Sequence, residues 1–253
     1  MLIGLVAASA LAETPKDIVA KIRAADYEGD RSALHSLASQ LEPFSADSSI
    51  ASRIRYWRGF AFWRSAINGF NLTPPPADIE TDLKSAVAEF QAARTLDPSF
   101  ADAIVAEASA TGSMYYFLRS DAERVKAFLP KLLKLYADAK AAAPNNPRFY
   151  WVDGPRLWII GTSRGGGQDA AIASYERGIE MWRNEQTVKH GDLDPTWGEP
   201  ELYMSLAWSF QNKKQPDLAA AHHYAQLALK HVPNWHYVRD ILAPSIEKAR
   251  KAG

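Results

Sequence analysis

The sequence predicts an all-α protein built as a stack of antiparallel helix pairs, and three observations carry that prediction. Apolar residues recur at helical spacing almost throughout its 253 residues. No short run shows the clean alternation of a half-buried strand. Turn-forming residues fall between the helical stretches, at Pro43, Pro74-Pro75-Pro76, Asp97-Pro98, Pro144 to Pro147, Gly165-Gly166-Gly167, Pro195 to Gly198 and Pro233. Consecutive helices on short connections, without strands, mean a bundle or a stack of helix pairs.

Taken in order, the punctuation places helices near 15–28 and 30–41, the second ended by Pro43. The helix 48–67 is separated from 78–95 by the triple proline, and 78–95 from 99–118 by Asp97-Pro98. Next come 121–142, closed by Pro144, and 147–161, closed before the triple glycine. Helix 168–184 is followed by a long polar connection ending in Pro195-Thr196-Trp197-Gly198. Helices 199–212, 215–231 and 235–251 complete the chain, the last being amphipathic and suited to cap the stack.

Internal repetition sharpens the architecture. Ala86, Phe90, Ala93 and Pro98 set a pattern of small residue, aromatic, small residue and helix-ending proline. Ala221, Ala225, Ala228 and Pro233 repeat its spacing, Tyr136, Ala139 and Pro144 repeat most of it, and Ala171, Tyr175 and Gly178 lack only the proline. Small residues let two helices approach, the aromatic fills the next groove, and proline ends the helix. First helices are more degenerate: Tyr203, Leu206, Ala207 and Phe210 fit fully, while Trp57, Phe60 and Ala61 fit with Arg64 in the fourth place.

These residues resemble the tetratricopeptide-repeat superfamily over about residues 50–235. The units depart from the regular period of about 34 residues, with extra chain at Asn68 to Asp78. The resemblance implies a TPR-like α-solenoid of antiparallel helix pairs, forming one domain over 13–253 with a capping helix at 235–251. The segments Ser163-Arg164-Gly165-Gly166-Gly167-Gln168 and Pro195-Thr196-Trp197-Gly198 also resemble features of bacterial exported repeat proteins and of the helical periplasmic component of some solute transporters.

Composition bounds the function. Lys plus Arg equals Asp plus Glu at 29 each, so no global field favours nucleic acid. With no cysteine, disulfides and thiolate metal sites are excluded. Residues 1–12 read as a short signal peptide: they are apolar and end in Ala10-Leu11-Ala12, a small-residue cleavage pattern. Twelve residues are too few to span a bilayer as a helix, so the expected location is periplasmic or secreted.

In the repeat family the first helix of each pair lines a concave face where partners bind. Aligning the units puts Arg55, Arg58, Phe62 and Ser65 there from the first unit, and Asp102, Val105, Ser109 and Gly112 from the second. Arg148, Trp151, Pro155 and Trp158 follow from the third, and Glu201, Met204, Trp208 and Gln211 from the last. The expected binding residues are therefore Arg55, Arg58, Phe62, Arg148, Trp151, Trp158, Met204 and Trp208. Aromatic rings supply apolar area and guanidinium forks hold carboxylates, a combination suited to an anionic or amphipathic partner. The same large aromatics at helical spacing also read as core.

Other motifs carry less. The triple glycine lacks the Lys-Ser/Thr of a phosphate loop and reads as a turn. His222 and His223 point about 100° apart on a helix; His236 and Asp240 share a face but make only two ligands, so no metal or cofactor is expected. No nucleophile, base and acid stand in a catalytic spacing. The function expected is a non-catalytic exported scaffold that binds a protein or peptide partner on its concave face, with self-association through the ends of an open stack as an accompanying feature. The alternative is a solute-binding accessory subunit with an aromatic-lined pocket between helices 48–67, 147–161 and 199–212, and a helical-fold enzyme is the third reading.

Overall fold

The computed structural model describes residues 13–252. The expected signal peptide at 1–12 lies outside the described residues. Eleven α-helices follow one another among them, and no strand occurs there. They are α1 (Pro15–Glu28), α2 (Arg31–Leu41), α3 (Ala51–Gly69), α4 (Ile79–Leu96), α5 (Ala101–Leu118), α6 (Ala122–Ala142), α7 (Pro147–Ile159), α8 (Gln168–Glu185), α9 (Glu199–Asn212), α10 (Leu218–His231) and α11 (Ala243–Ala252). No helix among them is long and apolar enough to cross a membrane.

Local chemistry sets the boundaries. Thr14 and Asp17 form a capping box ahead of α1, and Asp30, Asp121, Asn146 and Asp217 each accept a backbone N–H at the start of their helix. Pro147 and Pro200 sit in a first turn, where the missing N–H costs nothing. Gly29 ends α1 at φ 76°, a left-handed conformation open to glycine.

Each helix packs mainly against its neighbours in the chain, as a stack of antiparallel helix pairs requires. The repeat residues form the seams: Ala86, Phe90 and Ala93 of α4, Ala139 of α6, Ala171 of α8, and Ala221, Ala225 and Ala228 of α10 are buried. At the α7–α8 seam the chains approach so closely that a Cβ on Gly154 would lie 2.1 Å from the Tyr175 ring. The aromatic and the small residue are two halves of one contact.

The expected last helix, 235–251, differs in detail. Its first half is a π-helical turn, Tyr237–Leu242, before α11. That wider turn accompanies the burial of Val238, Leu242 and Ile246 against α10. The two ends of the stack also meet. Tyr27 of α1 packs edge-on against Trp235 at 5.0 Å, and its hydroxyl donates to Glu201 of α9 at 2.7 Å.

Candidate functional site: a filled inner face and an open outer groove

The first helices of the pairs, α1, α3, α5, α7 and α9, face an interior that the chain fills itself. The long α8–α9 connection, 186–198, lies across it. Trp197 is buried among Phe60, Trp63 and Trp151, with ring centroids 5.4, 6.0 and 5.5 Å away. Its indole N–H donates to the Tyr56 hydroxyl at 2.9 Å, and its carbonyl accepts from Arg148 at 3.0 Å. Trp57 donates to the Leu193 carbonyl at 2.8 Å, and Trp151 to Ser205 at 2.9 Å.

The two buried arginines of this interior are paired. Arg148 bridges Asp102 and Glu185. Burial alone would pull its pKa down, but the two facing carboxylates outweigh it and hold the guanidinium charged. Arg64 pairs with Asp26 at 2.7 Å. Glu201 is held above the usual carboxylate range by burial, against the Tyr27 hydrogen bond and the nearby Arg64, which favour its ionised form.

The eight expected binding residues fall in three places. Arg55, Arg58 and Phe62 lie on the side of α3 turned toward α2 and α4. Arg58 donates to Glu89 at 2.9 Å and to the Ala38 carbonyl at 2.9 Å, Arg55 donates to Glu89 at 3.2 Å, and Phe62 packs edge-on against His35. Arg148 and Trp151 do reach the inner face but are buried in its filling. Trp158 and Trp208 meet at 5.0 Å on the surface, with Trp208 exposed, while Met204 is half-buried against the Tyr27–Trp235 cluster. For α3 the helical phase explains the difference. Its inward residues include Trp57, Phe60 and Arg64, the ones aligned as the repeat's packing positions: Leu193 covers Trp57, Trp197 packs on Phe60, and Arg64 pairs with Asp26 of α1.

One polar cluster has no counterpart in the sequence reading. The loop after α3 brings Asp78 beside Asp82 of α4 and His35 of α2. Arg31 reaches both carboxylates, Asp78 at 2.6 Å and Asp82 at 3.1 Å, and so already supplies the cation. Ser65 Oγ and the Asp82 carboxylate both lie against the same nitrogen of His35, Nε2, at 3.0 Å. A hydrolytic relay needs the acid on the other ring nitrogen, so these residues do not form one.

An open groove lies on the outer layer, between α4, α5 and α6. Its volume is about 450 Å³. Val87, Ala88, Met114, Leu118, Ala127 and Phe128 make its apolar walls. Arg124 donates to Glu80 at 2.6 Å, which places the start of α6 beside the start of α4. Lys84 also pairs with Glu80 at that end. The hydrogen bonds from Arg124 and Lys84 hold the Glu80 pKa down at about 2, so that both cations stay partly neutralised. Gln91, Thr111 and Lys131 also line the groove. The Thr111 hydroxyl is buried without a hydrogen-bond partner, and Lys131 makes no ion pair among the described residues. The sequence signal for this groove is the run Lys126 to Lys134 in α6, basic residues interleaved with Phe and Leu.

Comparison with known proteins adds the fold and little more. No family model and no curated protein matches the sequence. Among solved structures, the HusA haemophore from Porphyromonas gingivalis is similar, at TM-score 0.59 and 18% identity, over 81% of this chain and 96% of that one. A thermophilic TPR protein from Thermus thermophilus aligns at TM-score 0.47 and 17% identity, over 87% of this chain and 99% of that one.

Proposed function

We propose that this chain is a non-catalytic binding scaffold whose ligand is an apolar molecule carrying an anionic group, held in the α4–α5–α6 groove. One observation carries the reading: the inner face is filled by the chain's own Trp197, whereas the outer groove is open, apolar and edged by Lys84, Arg124 and Lys131. A volume of about 450 Å³ falls within the range of pockets for small ligands, about 300–1,000 Å³. Apolar walls supply the burial of the ligand's body, and the lysine without an ion pair supplies a partner for its acid group. The similarity to a haemophore agrees with this chemistry, since haem is an apolar macrocycle bearing carboxylates. Export through the 1–12 segment would place such a carrier outside the cytoplasm, and amino-terminal sequencing of protein recovered from a bacterial periplasm should then begin at Glu13.

The test is calorimetric titration with haem and, separately, with oleate. Phe128→Ala combined with Lys131→Glu should weaken binding of the preferred probe at least tenfold while leaving the helical circular-dichroism signal unchanged. Equal affinity in the variant would remove the groove from consideration.

A further inference from the structure

The 186–198 connection holds a second feature, independent of the outer groove. Thirteen residues join α8 to α9, longer than the usual 2–8 between packed helices. Only its end is core. Trp197 and Pro195 are buried, but 186–189 are exposed and Gly191 to Asp194 form a turn on the surface of α1 and α3. The turn is closed by the Asp194 N–H donating to the Gly191 carbonyl at 3.1 Å, and the Asp194 carboxylate accepts the Gly191 N–H at 2.8 Å.

What this turn sits on is organised for an acidic segment. Lys16 of α1 meets Asp192 at 2.8 Å, and Arg53 of α3 meets Asp194 at 3.1 Å. Between the two carboxylates, the Leu193 carbonyl accepts from the Trp57 indole. Arg53 is also fixed from behind by Asp97 and lies 4.0 Å over the Phe100 ring, so its fork is held in place. Arg23 of α1 stands on the same face. It makes only a long contact to the Thr196 hydroxyl, at 3.4 Å, its Nε is buried without a partner, and it has no carboxylate among the described residues. Of the three cations on this face, Lys16 and Arg53 meet the turn's two carboxylates, Arg53 being shared with Asp97, and Arg23 alone meets none.

We propose that Lys16, Arg23, Arg53 and Trp57 form a docking site for an acidic peptide segment of another protein, and that the turn Gly191-Asp192-Leu193-Asp194 occupies it as a built-in competitor. A partner would present two carboxylates on either side of an apolar residue, give a backbone carbonyl to Trp57, and reach Arg23 with a third acid that the turn lacks. The Lys16–Asp192 pair is largely exposed, at 64% and 78% of the side chains, where solvent screens it, and the partner would remake the Arg53 and Trp57 contacts that the turn gives up. Trp197 remains in the core throughout, so the helices need not move.

Fluorescence anisotropy tests this with a labelled peptide spanning residues 189–196 of this chain, used against the full protein. The variant Asp192→Asn with Asp194→Asn loosens the built-in turn and should bind the peptide at least tenfold more tightly than the unaltered chain. Adding Arg53→Ala should abolish that gain, and raising the salt concentration should weaken binding. A peptide with both aspartates changed to asparagine should not bind. Arg23→Ala alone, in an otherwise unaltered chain, should weaken binding of a peptide extended by one Glu, and it keeps the question decidable if the double variant loses helix. No gain in the folded double variant, equal binding of the asparagine peptide, or no effect of Arg23→Ala would each overturn the proposal. Binding of haem or oleate in the outer groove should be unchanged by all of these substitutions.

Discussion

The inner face around α3 and the outer groove beside α6 are built from the same repeated helix pair, yet one is closed and the other open. On α3, Tyr56, Trp57, Phe60 and Trp63 are all buried, because the 186–198 connection and the neighbouring first helices cover them. On α6, only Leu132, Leu135, Tyr136 and Ala139 are buried, all from its middle and end, while Leu129 and Leu133 are exposed and Phe128 edges the groove. A repeat scaffold leaves apolar surface wherever no further element covers it. Here the chain covered the richer aromatic face itself and left the poorer, cation-edged one for something else.

The largest effect should come from the inner face. Trp197→Ala removes the ring that fills it and should cost about 3–5 kcal/mol, read from urea unfolding followed by circular dichroism. A cost below about 1 kcal/mol would mean that the inner face is not core, since surface substitutions fall in that range, and the contrast with the groove would collapse. Next is Arg148→Ala, which leaves Asp102 and Glu185 facing each other without their cation. Breaking a buried pair this way costs about 3–5 kcal/mol at full burial; the two acids are partly exposed, so the lower end is expected, and Arg148→Met should recover part of it through packing.

A pH comparison sharpens the same point. Because burial raises the folded pKa of Glu201 above its ordinary 4.5, the native state holds this proton more tightly than the unfolded chain. Its contribution to stability therefore falls as pH rises from 4.5 toward the folded value, where the buried carboxyl must ionise. The stability deficit of Glu201→Gln relative to the unaltered protein should accordingly shrink as pH rises through that window, and a deficit that stays constant across it would count against the raised pKa.

The smallest effect belongs to the groove. Thr111→Val replaces a buried hydroxyl that has no partner with a group of the same shape. It should be neutral or stabilise by up to about 1 kcal/mol, with the sign readable from thermal unfolding. A clear destabilisation would show that the hydroxyl is satisfied, and would take away one polar mark of the groove.

Much of the fold is legible in the residues. Ala86, Phe90 and Ala93, and Ala221, Ala225 and Ala228, lie in seams where the spacing puts them, since packing of a helix against its next neighbour is set by residues three and four apart. The site is less so. Repeat alignment places Arg58 and Phe62 on the concave face, but they turn toward α2 and α4, because α3 is sandwiched on three sides and its periodicity marks no single outward face. The same alignment sets Trp158 and Trp208 in one surface, and they do meet. Nothing local announces that Trp197, in a connection, becomes the centre of the interior.

The sequence by itself determined which segments are helical, about where they stop, and which small and aromatic residues each helix offers to its neighbour, because these follow from turn chemistry and from spacing within a few turns of chain. The tertiary structure decided which face of α3 looks inward, that Trp197 and Leu193 cover it, and that α4, α5 and α6 leave a groove between them. Those outcomes rest on contacts such as Trp57 with Leu193, 136 residues apart, which no local periodicity encodes.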